Sequence, residues 1–125
     1  MKPKKVLVVD DSKLLHRMFE MMLRQYPLIH AYDGREALER LAEHGDVDLI
    51  LLDMNMPRMN GLEFLAAVKG KPETSHIHVV IVTTEGKEID TDRGIKAGAS
   101  AYVKKPFRNE ELNTVINSLP GEGEQ

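Results

Sequence analysis

Val6-Leu7-Val8-Val9-Asp10-Asp11-Ser12 reads as four aliphatic residues that stop on two acids and a serine suited to cap a helix. An unbroken apolar run leaves no polar parity, so a strand made from it must be covered on both faces, as in a parallel sheet under helices. Working outward, Val47 to Leu52 and Val79-Val80-Ile81-Val82 read the same way, and Leu28 to Tyr32 and Ala101-Tyr102-Val103 are weaker versions. The intervals carry helical periodicity. Leu14, Leu15, Met18, Met21, Met22 and Leu23 recur at helical spacing after Ser12, and core filling accounts for the methionines. Ala37, Leu38, Leu41 and Ala42 follow Gly34, and Leu62, Leu65, Ala66 and Val68 follow Asn60-Gly61. Ile89, Ile95 and Ala97 precede Gly98. Leu112, Val115, Ile116 and Leu119 form a last helix that opens near Asn109 with Glu110-Glu111 in its first turn, where acids suit the helix dipole.

Strand then helix, five times over, predicts an α/β fold: a five-stranded doubly wound parallel sheet with five helices, flavodoxin-like in architecture. Such a sheet binds its ligand beyond the carboxyl ends of its strands. With 125 residues, 42% hydrophobic and 30% charged, the chain suits one soluble globular domain over 1–119, with 120–125 as a polar tail or cut linker. A net charge of −3, with no Lys/Arg run longer than Lys4-Lys5, gives nucleic acid no reason to bind. The apolar run after Met1 to Lys5 ends at Asp10, too short for a secretory signal. No stretch approaches a membrane span, so a cytoplasmic location is expected. The absence of cysteine excludes thiol chemistry.

Strand ends hold the informative side chains. Asp10-Asp11 follows the first strand, Asp53 the third, Thr83 the fourth and Lys105, before Pro106, the fifth. Taken singly each has a bland explanation: a solvated acidic turn, a helix cap, a Lys-Pro loop. Their shared edge does not. Carboxylates about 5 Å apart repel by roughly 3 kcal/mol per pair at an effective dielectric near 20, so a trio either raises a pKa or recruits a cation. Ligands that are all oxygen favour Mg²⁺ over zinc.

These residues sit in longer motifs. Val6 to Ser12 is one. Leu51-Leu52-Asp53-Met54-Asn55-Met56-Pro57-Arg58-Met59-Asn60-Gly61 is the second. Val82-Thr83-Thr84 and Gly98-Ala99-Ser100-Ala101-Tyr102-Val103-Lys104-Lys105-Pro106-Phe107 complete the set. In order and in register they resemble the response-regulator receiver domain of two-component signalling, over Lys4 to Leu119. The resemblance implies that Asp53 takes a phosphoryl group from a sensor histidine kinase or phosphotransfer protein. It implies Mg²⁺ held by Asp10, Asp11, Asp53 and the backbone carbonyl of Asn55. Lys105 would pair with the phosphoryl oxygens, Lys104 being a solvated neighbour. Thr83 and Tyr102 would be the switch pair, and a downstream protein would dock on the fourth helix, fifth strand and fifth helix. By the same resemblance the chain is a stoichiometric phosphoacceptor rather than an enzyme, monomeric before phosphorylation, acting in a chemotaxis-like or relay pathway. Thr84, Asn55 and Glu85 flank the site and suggest spontaneous dephosphorylation in seconds to minutes.

Two rival classes fit less well. A haloacid-dehalogenase-type phosphatase needs an acid two residues after the nucleophile, where Asn55 stands, and a cap insertion the chain lacks. A receiver that binds partners without phosphorylation would not need all its acids and its lysine. The Asp53-x-Asn55 start of a calcium loop fails at Pro57 and Arg58. Of five histidines, only His76-x-His78 suggests metal, and a polar strand entry explains it better.

Overall fold

The computed structural model describes residues 1–54, 60–84 and 88–120, the side chains of 84 and 88–91 excepted. Strands β1 (Val6–Val9), β2 (Leu28–Ala31), β3 (Leu49–Asp53), β4 (His78–Thr84) and β5 (Ala101–Lys105) alternate with helices α1 (Lys13–Met22), α2 (Gly34–Glu43), α3 (Gly61–Lys69), α4 (Glu88–Lys96) and α5 (Asn109–Ser118). All strand pairs are parallel, in the order β2-β1-β3-β4-β5. This is the doubly wound α/β fold expected, and the order reverses beside β1, so the carboxyl ends of β1 and β3 flank the ligand position.

Burial on both faces follows from the aliphatic strands and splits the interior in two. Leu7, Val9, Ile50, Leu52, Val79 and Ile81 pack with Ala37, Leu41, Phe64, Leu65 and Val68 of α2 and α3. Val6, Val8, Leu49, Leu51, Val80, Val82 and Val103 pack with Leu15 and Phe19 of α1 and Leu112 and Ile116 of α5. Phe19 also stacks on Phe107 at a centroid distance of 5.7 Å. Side chains close the first turns of α1, α2 and α3, whereas α5 has no side-chain cap. The Ser12 side chain accepts from the Leu15 amide, and Asp33 accepts from that of Glu36. Asn60 and Glu63 close a reciprocal capping box on α3.

Two expectations need correction. Strands β3, β4 and β5 reach further at their carboxyl ends than their aliphatic runs, while β3 starts at Leu49 rather than Val47 and β2 stops at Ala31, short of Tyr32. Asp53 and Lys105 are the last residues of β3 and β5, and Thr83 lies inside β4, because the ladder continues through Asp53↔Val82, Thr83↔Lys104 and Thr84↔Lys105. The face of α1 also differs. Leu14, Met18 and Met21 are exposed at 70%, 39% and 68%, while Leu15, His16 and Phe19 face the sheet, so core filling does not account for Met18 and Met21. The helix is wound by its Ser12 cap and by the sheet's geometry, and these set its phase. Of the methionines, Met54 is a core residue, 6% exposed. His78 opens β4 and bonds Ser100 and the Pro120 carbonyl, a polar strand entry as anticipated.

Candidate functional site

The register places Val9 beside Leu52, so the residues that follow, Asp10 and Asp53, leave the sheet as neighbours. Asp10, Asp11 and Asp53 each offer one carboxylate oxygen within 4.8 Å of the others. Asp10 is fully enclosed, Asp53 half-buried and Asp11 exposed. The Asp10 backbone N–H donates to the Ala31 carbonyl at 3.1 Å, and its Oδ1 accepts from the Ser12 amide at 2.8 Å. Its Oδ2 is buried with no hydrogen-bond partner among the described residues. Lys105 Nζ lies 3.7 Å from that oxygen, an ion pair too long for a hydrogen bond.

The electrostatics follow. Burial pushes the Asp10 carboxyl above its ordinary value, the Ser12 amide and the Lys105 ammonium pull it back, and the Asp11 charge adds a smaller upward push. The enclosed Asp10 Oδ2 keeps an unused lone pair beside two further acids, more negative charge than the single Lys105 ammonium offsets. The donor set is all oxygen, so the residues fit Mg²⁺, which Asp10, Asp11 and Asp53 could hold. Asn55, the fourth expected ligand, lies outside the described residues, as do Glu85 and the Thr84 side chain.

The other expected residues are placed as follows. Thr83 is buried at 5% exposure near the end of β4, one strand over from Asp53. Lys105 is partly buried and turned to Asp10, whereas Lys104, its neighbour, is exposed. Tyr102 stands outward on β5 at 45% exposure. Gly61 matters to the geometry behind Asp53. Its amide donates to the Met54 carbonyl at 3.1 Å, and a Cβ there would come within 2.6 Å of Met54 Cα and 3.0 Å of the Asp53 carbonyl oxygen. Only glycine lets α3 start this close to the strand end.

Sequence reasoning missed His16. It is 2% exposed, and its ring reaches the backbone carbonyl of Asp10 at 2.8 Å. The available signal was helical phase: a residue one position after Leu15 and three before Phe19 lies on the inward face.

Comparison with known proteins agrees with this geometry. The family model of the response regulator receiver domain matches residues 6–117. The chain is 35% identical to a chemotaxis protein CheY homolog of Campylobacter jejuni, over 95% of this chain and 97% of that one. It is 32% identical to CheY1 of Helicobacter pylori, over 94% and 97%. It is also 35% identical to the Escherichia coli transcriptional regulatory protein CpxR, where the match spans 92% of this chain and 48% of the relative. Among solved structures, Vibrio cholerae CheY4 superposes with a TM-score of 0.83 at 35% identity, over 94% of this chain and 99% of that one. A receiver domain protein from Clostridium thermocellum gives 0.83 at 28% identity, over 91% of each chain.

Proposed function

Since the chain belongs to the response regulator receiver family of two-component signalling, we propose that Asp53 is its phosphoacceptor and that Asp10, Asp11 and Asp53 hold the Mg²⁺ the reaction uses. The observation that carries this reading is the orphaned Oδ2 of Asp10, buried among acids at the carboxyl end of the sheet. A carboxylate oxygen of Asp53 attacks the phosphorus of a phosphohistidine on a sensor kinase or phosphotransfer protein. The phosphorus–nitrogen bond breaks, the imidazole leaves, and an acyl phosphate remains on Asp53. Bound Mg²⁺ supplies charge neutralisation to the acids and the phosphoryl oxygens, and positioning and neutralisation are most of what this chemistry needs. Lys105, now paired with Asp10, turns to the phosphoryl oxygens, and Thr83 donates its hydroxyl to them.

Withdrawal of Thr83 toward the phosphoryl group leaves space into which Tyr102 rotates from its outward position, altering the α4-β5-α5 face where a downstream protein docks. Shifting such an equilibrium from 1:99 to 99:1 takes about 5.5 kcal/mol, and the added charge of about −1.5 to −2 acts at short range on Lys105 and Mg²⁺. Residues 1–119 act as the receiver, with 120–125 a tail or linker. The chain is a monomer before phosphorylation and works in the cytoplasm as a stoichiometric switch, in chemotaxis or a phosphorelay. The hydrolysis lifetime is seconds to minutes. No helix among the described residues is long and apolar enough to cross a membrane.

The test is labelling with acetyl phosphate or a phosphorylated kinase domain. One phosphoryl group per chain is expected with Mg²⁺, none with EDTA and none in Asp53→Asn. Labelling of a correctly folded Asp53→Asn chain to the same stoichiometry would remove Asp53 from its role. Turnover of generic phosphate esters would move the chain to the phosphatase class.

A further inference from the structure

A chain of hydrogen bonds runs into the acidic site from β2, the edge strand at the other end of the sheet from the β5 of Lys105. His16, enclosed on α1, places Nε2 at 2.8 Å from the backbone carbonyl oxygen of Asp10. Its Nδ1 lies 2.6 Å from Nδ1 of His30, the third residue of β2. His30 Nε2 faces Glu20 Oε1 of α1 at 3.2 Å, and the Tyr32 ring tilts against His16 at a centroid distance of 4.3 Å. The two histidines are 14 residues apart and on different elements, so only the fold brings them together.

The direction of this chain follows from its inner end. A carbonyl oxygen only accepts, so His16 Nε2 carries the hydrogen. At the outer end the Glu20 carboxylate also only accepts, so His30 Nε2 carries the hydrogen of that contact, and a hydrogen from one of the two rings bridges the Nδ1–Nδ1 contact. Burial holds His30 toward its neutral form, the His16 ring acts in the same sense, and the Glu20 charge opposes both. The inner end thus assigns Nε2–H on His16, which is all that the clamp on Asp10 requires.

We propose that His16, backed by His30, is a positioning residue that fixes the Asp10 peptide and thereby aims the orphaned Oδ2 of Asp10 at the cation. The Asp10 backbone is held at both polar groups, its N–H by the Ala31 carbonyl and its C=O by His16. Its side chain has a single hydrogen bond, from the Ser12 amide to Oδ1, so the direction of Oδ2 is set by the backbone, by that bond and by the Lys105 ammonium 3.7 Å away. Ala31 directly follows His30, so one segment of β2 supports both clamps. Outer contacts that orient a metal ligand typically change metal affinity by about 10–100-fold when lost. A contact to the ligand's peptide rather than its carboxylate belongs at the lower end.

This inference rests on the reading of Asp10 as a Mg²⁺ holder, and the experiment separates the two. Mg²⁺ affinity of the full chain is titrated without any phosphodonor, for wild type, His16→Gln, His16→Leu and His30→Leu. Glutamine places its Nε2 the same number of bonds from Cβ as histidine does, so it keeps the donor to Asp10. Expected are dissociation constants within about threefold of wild type for His16→Gln, about tenfold weaker for His16→Leu, and about threefold weaker for His30→Leu. A folded His16→Leu chain with wild-type affinity overturns the proposal. So does His16→Gln binding as weakly as His16→Leu. If His16→Leu does not fold, His30→Leu decides, and unchanged affinity there also overturns it. Imidazole ¹⁵N spectra of the metal-free chain test the relay by itself: a protonated Nδ1 and bare Nε2 on His16 would refute it even if Mg²⁺ binds. Wild-type protein that takes no Mg²⁺ but shows Nε2–H on His16 would instead sink the metal-site reading.

Discussion

Replacing Asp10 by asparagine should make the metal-free protein more stable, although it removes a buried ion pair with Lys105. The charge of Asp10 is opposed by two acids within 4.8 Å, at about 3 kcal/mol per pair for an effective dielectric near 20, the exposed Asp11 counting for less. It is favoured by Lys105 at 3.7 Å, at about 4 kcal/mol on the same scale. These pair terms nearly cancel. What remains is the cost of an enclosed, unbonded carboxylate oxygen, about 1–3 kcal/mol. Asparagine keeps the Oδ1 bond to Ser12 and offers N–H groups to the neighbouring acids. At about 2.1 cal/mol/K per residue over 125 residues, 1 kcal/mol is about 4 °C in Tm, so a rise of about 4–12 °C is expected near pH 7 in EDTA.

The pH dependence fixes the sign. The folded-state pKa of Asp10 lies above its unfolded value of 3.8, so the folded chain binds the proton more tightly. Stability is therefore full below pH 3.8 and is lost as pH rises through the folded pKa. The advantage of Asp10→Asn should vanish at low pH and grow through that window to a plateau. Mg²⁺ narrows the gap: at ten times its dissociation constant it adds about 1.4 kcal/mol to wild type, and it adds less to the variant. Urea unfolding of both chains across pH, with EDTA or Mg²⁺, measures all of this. An Asp10→Asn chain less stable than wild type at pH 7 in EDTA would show the Asp10 charge to be fully compensated, and the reasoning would be refuted.

Removing the competing ammonium in Lys105→Met should tighten Mg²⁺ binding severalfold in a direct titration while abolishing the partner affinity that phosphorylation induces. Unchanged Mg²⁺ affinity would count against the Lys105–Asp10 pair. Gly61→Ala drives a Cβ into the Met54 backbone and should cost about 1–3 kcal/mol, seen as a Tm lowered by about 4–12 °C, with slower labelling of Asp53. Asn60→Ala opens the capping box of α3 and should cost about 1 kcal/mol in urea unfolding while leaving the labelling stoichiometry at one.

The sheet was legible because its strands are aliphatic on both parities, and the acids were legible because they interrupt those runs. Strand ends were blurred where polar residues continue the ladder, as at Thr83 and Lys105, since composition reports burial and not backbone pairing. The inward face of α1 could not be read from hydrophobicity. Leu14, Met18 and Met21 outrank His16 on any transfer scale, yet His16 is enclosed because each ring nitrogen has a partner. One of those partners is a backbone carbonyl and the other sits on a different element. Neither leaves a mark in local sequence.

The sheet also works as a bulkhead. Its two apolar compartments share no side chain, so substitutions in one should add to those in the other, whereas neighbours within a compartment should couple. A designer could rebuild the α2–α3 half wholesale and leave the α1–α5 half as it stands. The acid trio, standing on the rim where both compartments meet, would sense either renovation only through small shifts of the strands beneath it.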